Sequence, residues 1–126
     1  MTALRTVSFG SNYFSGEVPL TIQSLSNLVT LDLNRNFFAG PVPVFPAALP
    51  LLETLDLTIN DFTGSIPTII GGYTSLRTVR LAATDVVSTI PTEIGLLTAM
   101  EEFTIARSTI TGPIPSELGL LSNLSK

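Results

Sequence analysis

The 126 residues contain no cysteine and no histidine. Those two absences remove disulfide frameworks, Cys/His metal sites and every catalytic arrangement built on a thiolate or an imidazole. Neither a metal nor another cofactor is therefore expected. Basic residues are scarce as well: six Lys and Arg against ten Asp and Glu leave a net charge of −4. Nucleic acid is a poor partner for such a chain, because affinity for it comes from neutralising several phosphates at once. Long apolar runs are missing too. No stretch approaches the roughly 20 residues that span a bilayer, and Met1 to Arg5 lacks the apolar core of a secretory signal. The sequence as it stands is expected to carry neither an anchor nor a leader.

What is present is hydrophobic and periodic. With 44% hydrophobic and 13% charged residues the chain can bury one substantial core. Its nine prolines and nine glycines would suggest loops if they were scattered, but many recur at a fixed interval. Shifting the chain by 24 residues brings Pro19, Pro43, Pro67, Pro91 and Pro115 into one column. A β-branched residue precedes each of them: Val18, Val42, Ile66, Ile90 and Ile114. Three residues before each proline stand Gly16, Gly40, Gly64, Ser88 and Gly112. The repeats run 4–27, 28–51, 52–75, 76–99 and 100–123, a sixth starts at Leu124, and the register never slips. One domain over 1–126, continuous with a longer array, is the expectation.

Within a unit the pattern L-x-x-L-x-L-x-x-N stands clearest at Leu28, Leu31, Leu33 and Asn36, and again at Leu52, Leu55, Leu57 and Asn60. Alternation at its centre predicts one short parallel strand per unit, near 5–8, 29–32, 53–56, 77–80 and 101–104, stacked about 4.8 Å apart. The column Asn12, Asn36, Asn60, Thr84 and Ser108 suits a structural ladder, since a buried amide offers donors and an acceptor to backbone groups of adjacent turns. Thr84 and Ser108 have only one donor each, so the ladder should weaken in the fourth and fifth units. If the glycine column is left-handed, Ser88 adds strain there of roughly 1–2 kcal/mol, which makes the fourth unit the expected weak point. The column Phe14, Phe38, Phe62, Val86 and Ile110 reads as a stacked core spine. Pro46 interrupts the second unit, where an extended excursion is expected.

The full unit, L-x-x-L-x-L-x-x-N-x-F-x-G-x-I-P-x-x-[LI]-x-x-L-x-x, resembles the plant-specific class of leucine-rich repeat over residues 4–126, with Leu52 to Ser75 close to a consensus copy. It looks like the ectodomains of receptor-like kinases and receptor-like proteins. The resemblance implies an α/β repeat solenoid, a leucine-rich repeat superhelix with a parallel sheet on the concave face and turns, short strands and 3-10 helices on the convex side. It also implies an extracellular or cell-surface address for a full-length parent, a kinase domain being absent here. The family's paired-cysteine caps are absent, so each terminal unit presents an uncovered face. An end-to-end homodimer is one way to cover them.

The second, third, fifth, seventh and eighth residues of each unit should face outward from the strands. All five arginines fall at these positions: Arg5, Arg35, Arg77, Arg80 and Arg107. Asp32, Glu53, Asp56, Glu101 and Glu102 join them. Asp32, Asp56 and Arg80 form one row flanked by Thr30, Thr54 and Thr78, and Arg35 and Arg77 are expected close by. Such a row could hold a polar peptide or a sugar, with arginine offering a planar fork to a carboxylate. It could equally be a self-compensating network whose surface pairs contribute about 0–1 kcal/mol each. The candidate ligand-binding set is Arg35, Asp32, Thr54, Asp56, Arg77, Arg80 and Arg107. Asp32 and Asp56 are the only pair that could serve a hydrolase, and an open sheet would not desolvate one of them. The expected function is therefore recognition of a protein, peptide or glycan on the concave or lateral face, with no catalysis. The alternative is a spacer within a longer receptor-like kinase or other multidomain protein.

Overall fold

A computed structural model describes residues 3–126. The first coil holds β1 (Thr6–Ser8), β2 (Ser15–Gly16) and the 3-10 helix η1 (Leu20–Ser24). The second holds β3 (Thr30–Asp32) and β4 (Phe37–Pro41); the third holds β5 (Thr54–Asp56), β6 (Asp61–Thr63) and η2 (Thr68–Gly72). The fourth follows with β7 (Thr78–Arg80), β8 (Val87–Ser88) and η3 (Thr92–Leu96), and the fifth with β9 (Glu102–Thr104), β10 (Thr109–Ile110) and η4 (Ser116–Leu120).

Five of these strands make one parallel sheet in the order β1-β3-β5-β7-β9. Its register is the sequence period itself: Thr6 pairs with Thr30, Thr30 with Thr54, Thr54 with Thr78 and Thr78 with Glu102. The strands begin one residue later than the motif suggests, at 6, 30, 54, 78 and 102. Their central residues Val7, Leu31, Leu55 and Val79 are buried, as are Leu28, Leu33, Leu52, Leu57, Leu76 and Leu81. The leucines of one coil thus pack on those of the next, and a core forms only through stacking. The proline column has a local purpose. Pro19, Pro67, Pro91 and Pro115, with φ between −70° and −60°, immediately precede the four 3-10 helices.

A second parallel layer forms where each coil leaves its phenylalanine column. Here β2-β4-β6 make a three-stranded sheet and β8-β10 a separate two-stranded one. Phe14, Phe38 and Phe62 stack with ring centroids 6.0 and 6.4 Å apart. Phe38, Phe62 and Val86 are buried, whereas Phe14 is 46% exposed on the first coil.

Two expectations are corrected by the backbone. Gly16, Gly40, Gly64 and Gly112 do have φ of 76° to 83°, but Ser88 is not left-handed. It has joined β8, and its hydroxyl accepts the Ile66 amide at 3.1 Å and donates to the Thr89 carbonyl at 2.6 Å. The strain foreseen there is avoided by a local change of path, and the second layer is interrupted at this point. Nor is the Pro46 segment an extended excursion. Residues 46–48 form a turn closed by bonds from the Ala48 and Leu49 amides to the Phe45 carbonyl, at 3.0 and 2.9 Å, with Pro46 buried. The Phe45 amide donates to the Tyr73 hydroxyl at 2.6 Å. Tyr73 is 2% exposed, and its burial pushes the phenol up to about 12.

Candidate ligand-binding surface

The Asn column lies where each coil turns out of the concave sheet. Asn60 Nδ2 donates to the carbonyls of Leu57 in its own coil and Leu33 in the preceding one, at 3.1 and 3.0 Å. Its Oδ1 accepts the Phe38 amide at 2.9 Å. Asn36 repeats this pattern one coil earlier, toward Leu33, Phe9 and the Phe14 amide. Asn12 is exposed and bonds only the Phe9 and Gly10 carbonyls of its own turn. In the last two coils Thr84 and Ser108 replace amides by hydroxyls 3.0 Å apart, both reaching the Leu81 carbonyl. These bonds fix the corner of each coil and hence the aim of the outward side chains before it.

On the concave sheet the fifth residues of the units pair in register: Ser8, Asp32, Asp56, Arg80, Thr104. Arg80 lies between two carboxylates. It donates Nε and Nη2 to Glu102 at 2.9 and 2.7 Å and Nη1 to Asp56 at 3.3 Å. This bidentate contact, the largest influence on Glu102, holds its carboxyl below the usual range. Lys126 Nζ stands 3.8 Å from the same carboxylate. Arg77 bridges Glu101 and, at 3.7 Å, Glu53. The Arg77 and Arg80 guanidiniums are thus matched by acidic partners within this face.

The two aspartates are engaged locally. Asp56 Oδ1 accepts the Thr58 amide at 3.0 Å, and Asp32 Oδ1 accepts both the amide and the side-chain nitrogen of Asn34. Asp32 Oδ2 accepts the Ser8 hydroxyl at 3.2 Å. Among the described residues no cation lies within 4.0 Å of Asp32. Thr54 lies half-buried in the threonine row beside them.

Arg35 and Arg107 occupy a different place from the one expected. Both are eighth residues of their units, and that position is left-handed in every coil: Ser11, Arg35, Ile59, Ala83 and Arg107 have φ of 53° to 58°. Arg35 is therefore carried off the flat of the sheet onto the rim where the coil turns toward the second layer. Arg77 lies two coils away at the other end of its strand, so strand spacing alone separates the two by about 10 Å. Arg35 instead lines an open groove of about 370 Å³ with Tyr13, Phe37, Ile59, Ser11, Asn12 and Asn36. Tyr13 is 88% exposed and Phe37 51%, their rings stacked at 6.3 Å. Sequence reasoning missed this pair; the signal was that Tyr13 and Phe37 share one column, next to the phenylalanine column.

The Leucine Rich Repeat family profile matches residues 51–73. No curated protein sequence matches the chain. Among solved structures, the plant peptide hormone receptor RGFR1 in complex with RGF2 is 32% identical, with a TM-score of 0.94 over 98% of this chain and 20% of that one. The Arabidopsis receptor kinase HAESA, in complex with the peptide hormone IDA and the co-receptor SERK1, is 30% identical, with a TM-score of 0.92 over 97% and 21%. The BIR3–SERK2 complex from Arabidopsis thaliana gives 32% identity and a TM-score of 0.84 over 89% and 60%. The chain has a leucine-rich repeat solenoid fold and resembles the leucine-rich repeat ectodomains of plant receptors. It spans about a fifth of the length of the first two receptor chains. No helix among the described residues is long and apolar enough to cross a membrane.

Proposed function

We propose that this chain is a ligand-recognition segment of a receptor-like protein, binding a protein, peptide or glycan partner on its concave or lateral face, without catalysis of its own. The carrying observation is the match of nearly the whole chain to receptors solved with peptide hormones, RGFR1 with RGF2 and HAESA with IDA. Outside the cell is the matching address, since related solved chains are ectodomains, one of them that of a plant membrane receptor kinase. A non-enzymatic reading is supported by the open concave sheet, whose aspartates are held by turn amides, Ser8 and Arg80. The proposed contact residues are Asp32, Thr54, Asp56, Arg77 and Arg80 on the sheet, with Arg35 and Arg107 on the rim. Selection of peptides from a displayed library on the full chain tests this. Arg77→Glu with Arg80→Glu should weaken a selected binder at least tenfold; unchanged affinity removes the sheet charges from the site, and failure to enrich any peptide counts against a peptide ligand.

One observation favours the spacer reading as a second possibility. The first coil presents Leu4, Val7, Phe9, Pro19, Ile22 and Leu25 around an open groove of about 400 Å³, with Leu4 47% and Phe9 45% exposed. Another coil would cover this face, whether from a longer array or from a second copy stacked end to end. Light scattering across a hundredfold concentration range distinguishes them, because a constant monomer mass refutes the homodimer.

A further inference from the structure

The groove on the rim of coils one and two has features that coil stacking does not require. Its walls are Tyr13 and Phe37: Phe37 is exposed although the flanking Asn36 and Phe38 are buried, while Tyr13 lies between the exposed Asn12 and Phe14 of the first coil. Its floor includes Ile59, a β-branched residue at φ 55° that is still 42% exposed. The left-handed backbone recurs at this position in every coil, where the other occupants are Ser11, Arg35, Ala83 and Arg107; among the five only Ile59 is β-branched. Arg35 supplies a cation for which no acidic partner lies within 4.0 Å among the described residues. Further along the rim the Tyr13 and Phe37 column continues as Asp61 and Asp85, both exposed and likewise without an ion pair among the described residues.

We infer that this rim is a peptide-docking strip that takes an extended segment running across the coils, with a bulky apolar side chain over Tyr13, Phe37 and Ile59. An acidic group beside that side chain meets Arg35, and a basic group further on meets Asp61 and Asp85. From the middle of coils one and two to the middle of coils three and four is two coil steps, about 10 Å, which an extended peptide covers in about three residues. The ligand signature is thus an apolar residue with an acidic residue adjacent to it and a basic residue about three positions away, in either chain direction. A uniformly anionic ligand, including an acidic glycan, fits less well because it would meet Asp61 and Asp85.

The inference rests on the recognition function proposed above, and its test separates the two. A random 12-residue peptide library displayed on phage is selected on the full chain, and enriched peptides are measured by fluorescence polarisation. The expected result is enrichment of the signature, with a tenfold or greater loss of affinity in Tyr13→Ser with Phe37→Ser and again in Arg35→Gly. Glycine suits the left-handed backbone at 35, so loss there reports the missing cation and not a damaged fold; circular dichroism should be unchanged for both variants. If peptides are enriched but bind these variants as well as the parent, recognition stands and the rim assignment falls. Rim-dependent peptides of another charge order overturn the signature. Tyr13-dependent binding on an array of neutral glycans, with no peptide enriched, overturns the peptide assignment.

Discussion

The asparagine ladder permits a graded test, because one residue type occupies three environments along one column. In Asn60→Ala the Phe38 amide, buried and bonded to Oδ1 at 2.9 Å, loses its acceptor, and the Leu33 and Leu57 carbonyls lose a donor. An orphaned buried amide costs about 1–3 kcal/mol, and the lost donors add about 1, so a destabilisation of roughly 2–4 kcal/mol is expected. Asn36→Ala should cost less than Asn60→Ala, since Asn36 is 5% exposed and makes the equivalent bonds, but its Phe14 and Phe9 partners lie on the exposed first coil and those bonds are only part-buried. At Asn12 the side chain is exposed and bonds only its own turn, so water replaces what alanine removes and the cost should stay under ~1 kcal/mol. Equilibrium urea unfolding of the three variants, followed by circular dichroism, measures the series. Equal destabilisation at 12 and 60 would refute the claim that bonds between coils, and not the corner alone, supply the ladder's contribution.

Four further outcomes follow from other residues. Glu102 has a folded-state carboxyl held below 4.5 by Arg80, so its contribution is complete above that pH and is lost as pH falls through the lowered value; Glu102→Gln should flatten the acid limb of the stability profile measured by chemical denaturation. Tyr73 titrates at about 12 against an ordinary 10.0, so the unfolded chain ionises first and stability should fall as pH rises through that window. Tyr73→Phe should abolish the alkaline fall while costing about 1 kcal/mol at neutral pH for the Phe45 bond. Gly64→Ala meets no atom within 4 Å, so its cost should be the backbone penalty alone, about 1–2 kcal/mol by urea unfolding. Ser88→Gly should destabilise instead of relieving strain, because it deletes the acceptor of the Ile66 amide.

The period, the concave register and the buried leucines were legible because every coil needs the same apolar face against its neighbours, which writes one spacing into the sequence. The corner asparagines were legible because a buried amide at a turn has few other uses. What escaped depends on the path between these points. Ser88 occupies a glycine column, but only the local backbone shows that it has left the left-handed region. Pro46 announces an interruption without saying that Tyr73 will reach the turn beside it. The charged row could be placed on one face, yet the choice of Glu102 over Asp56 as the bidentate partner of Arg80 depends on side-chain reach across a diagonal. Arg35 was assigned to the sheet because alternation was carried past the point where the chain turns left-handed. Tyr13 and Phe37 were passed over because the position between the asparagine and phenylalanine columns has no recurring residue type.

The interruption at Ser88 also bears on how the solenoid deforms. From coil one to coil three the stack is laced along both layers, while between coils three and four the second layer retains the Val87 amide to the Gly64 carbonyl at 2.9 Å and the Ile66 amide to the Ser88 hydroxyl at 3.1 Å. A beam stitched on two edges resists bending toward either, whereas one with a loosened seam folds about the intact edge. Thermal flexing should therefore concentrate at this junction, altering the angle between the first three coils and the last two while the continuous concave sheet acts as the hinge leaf.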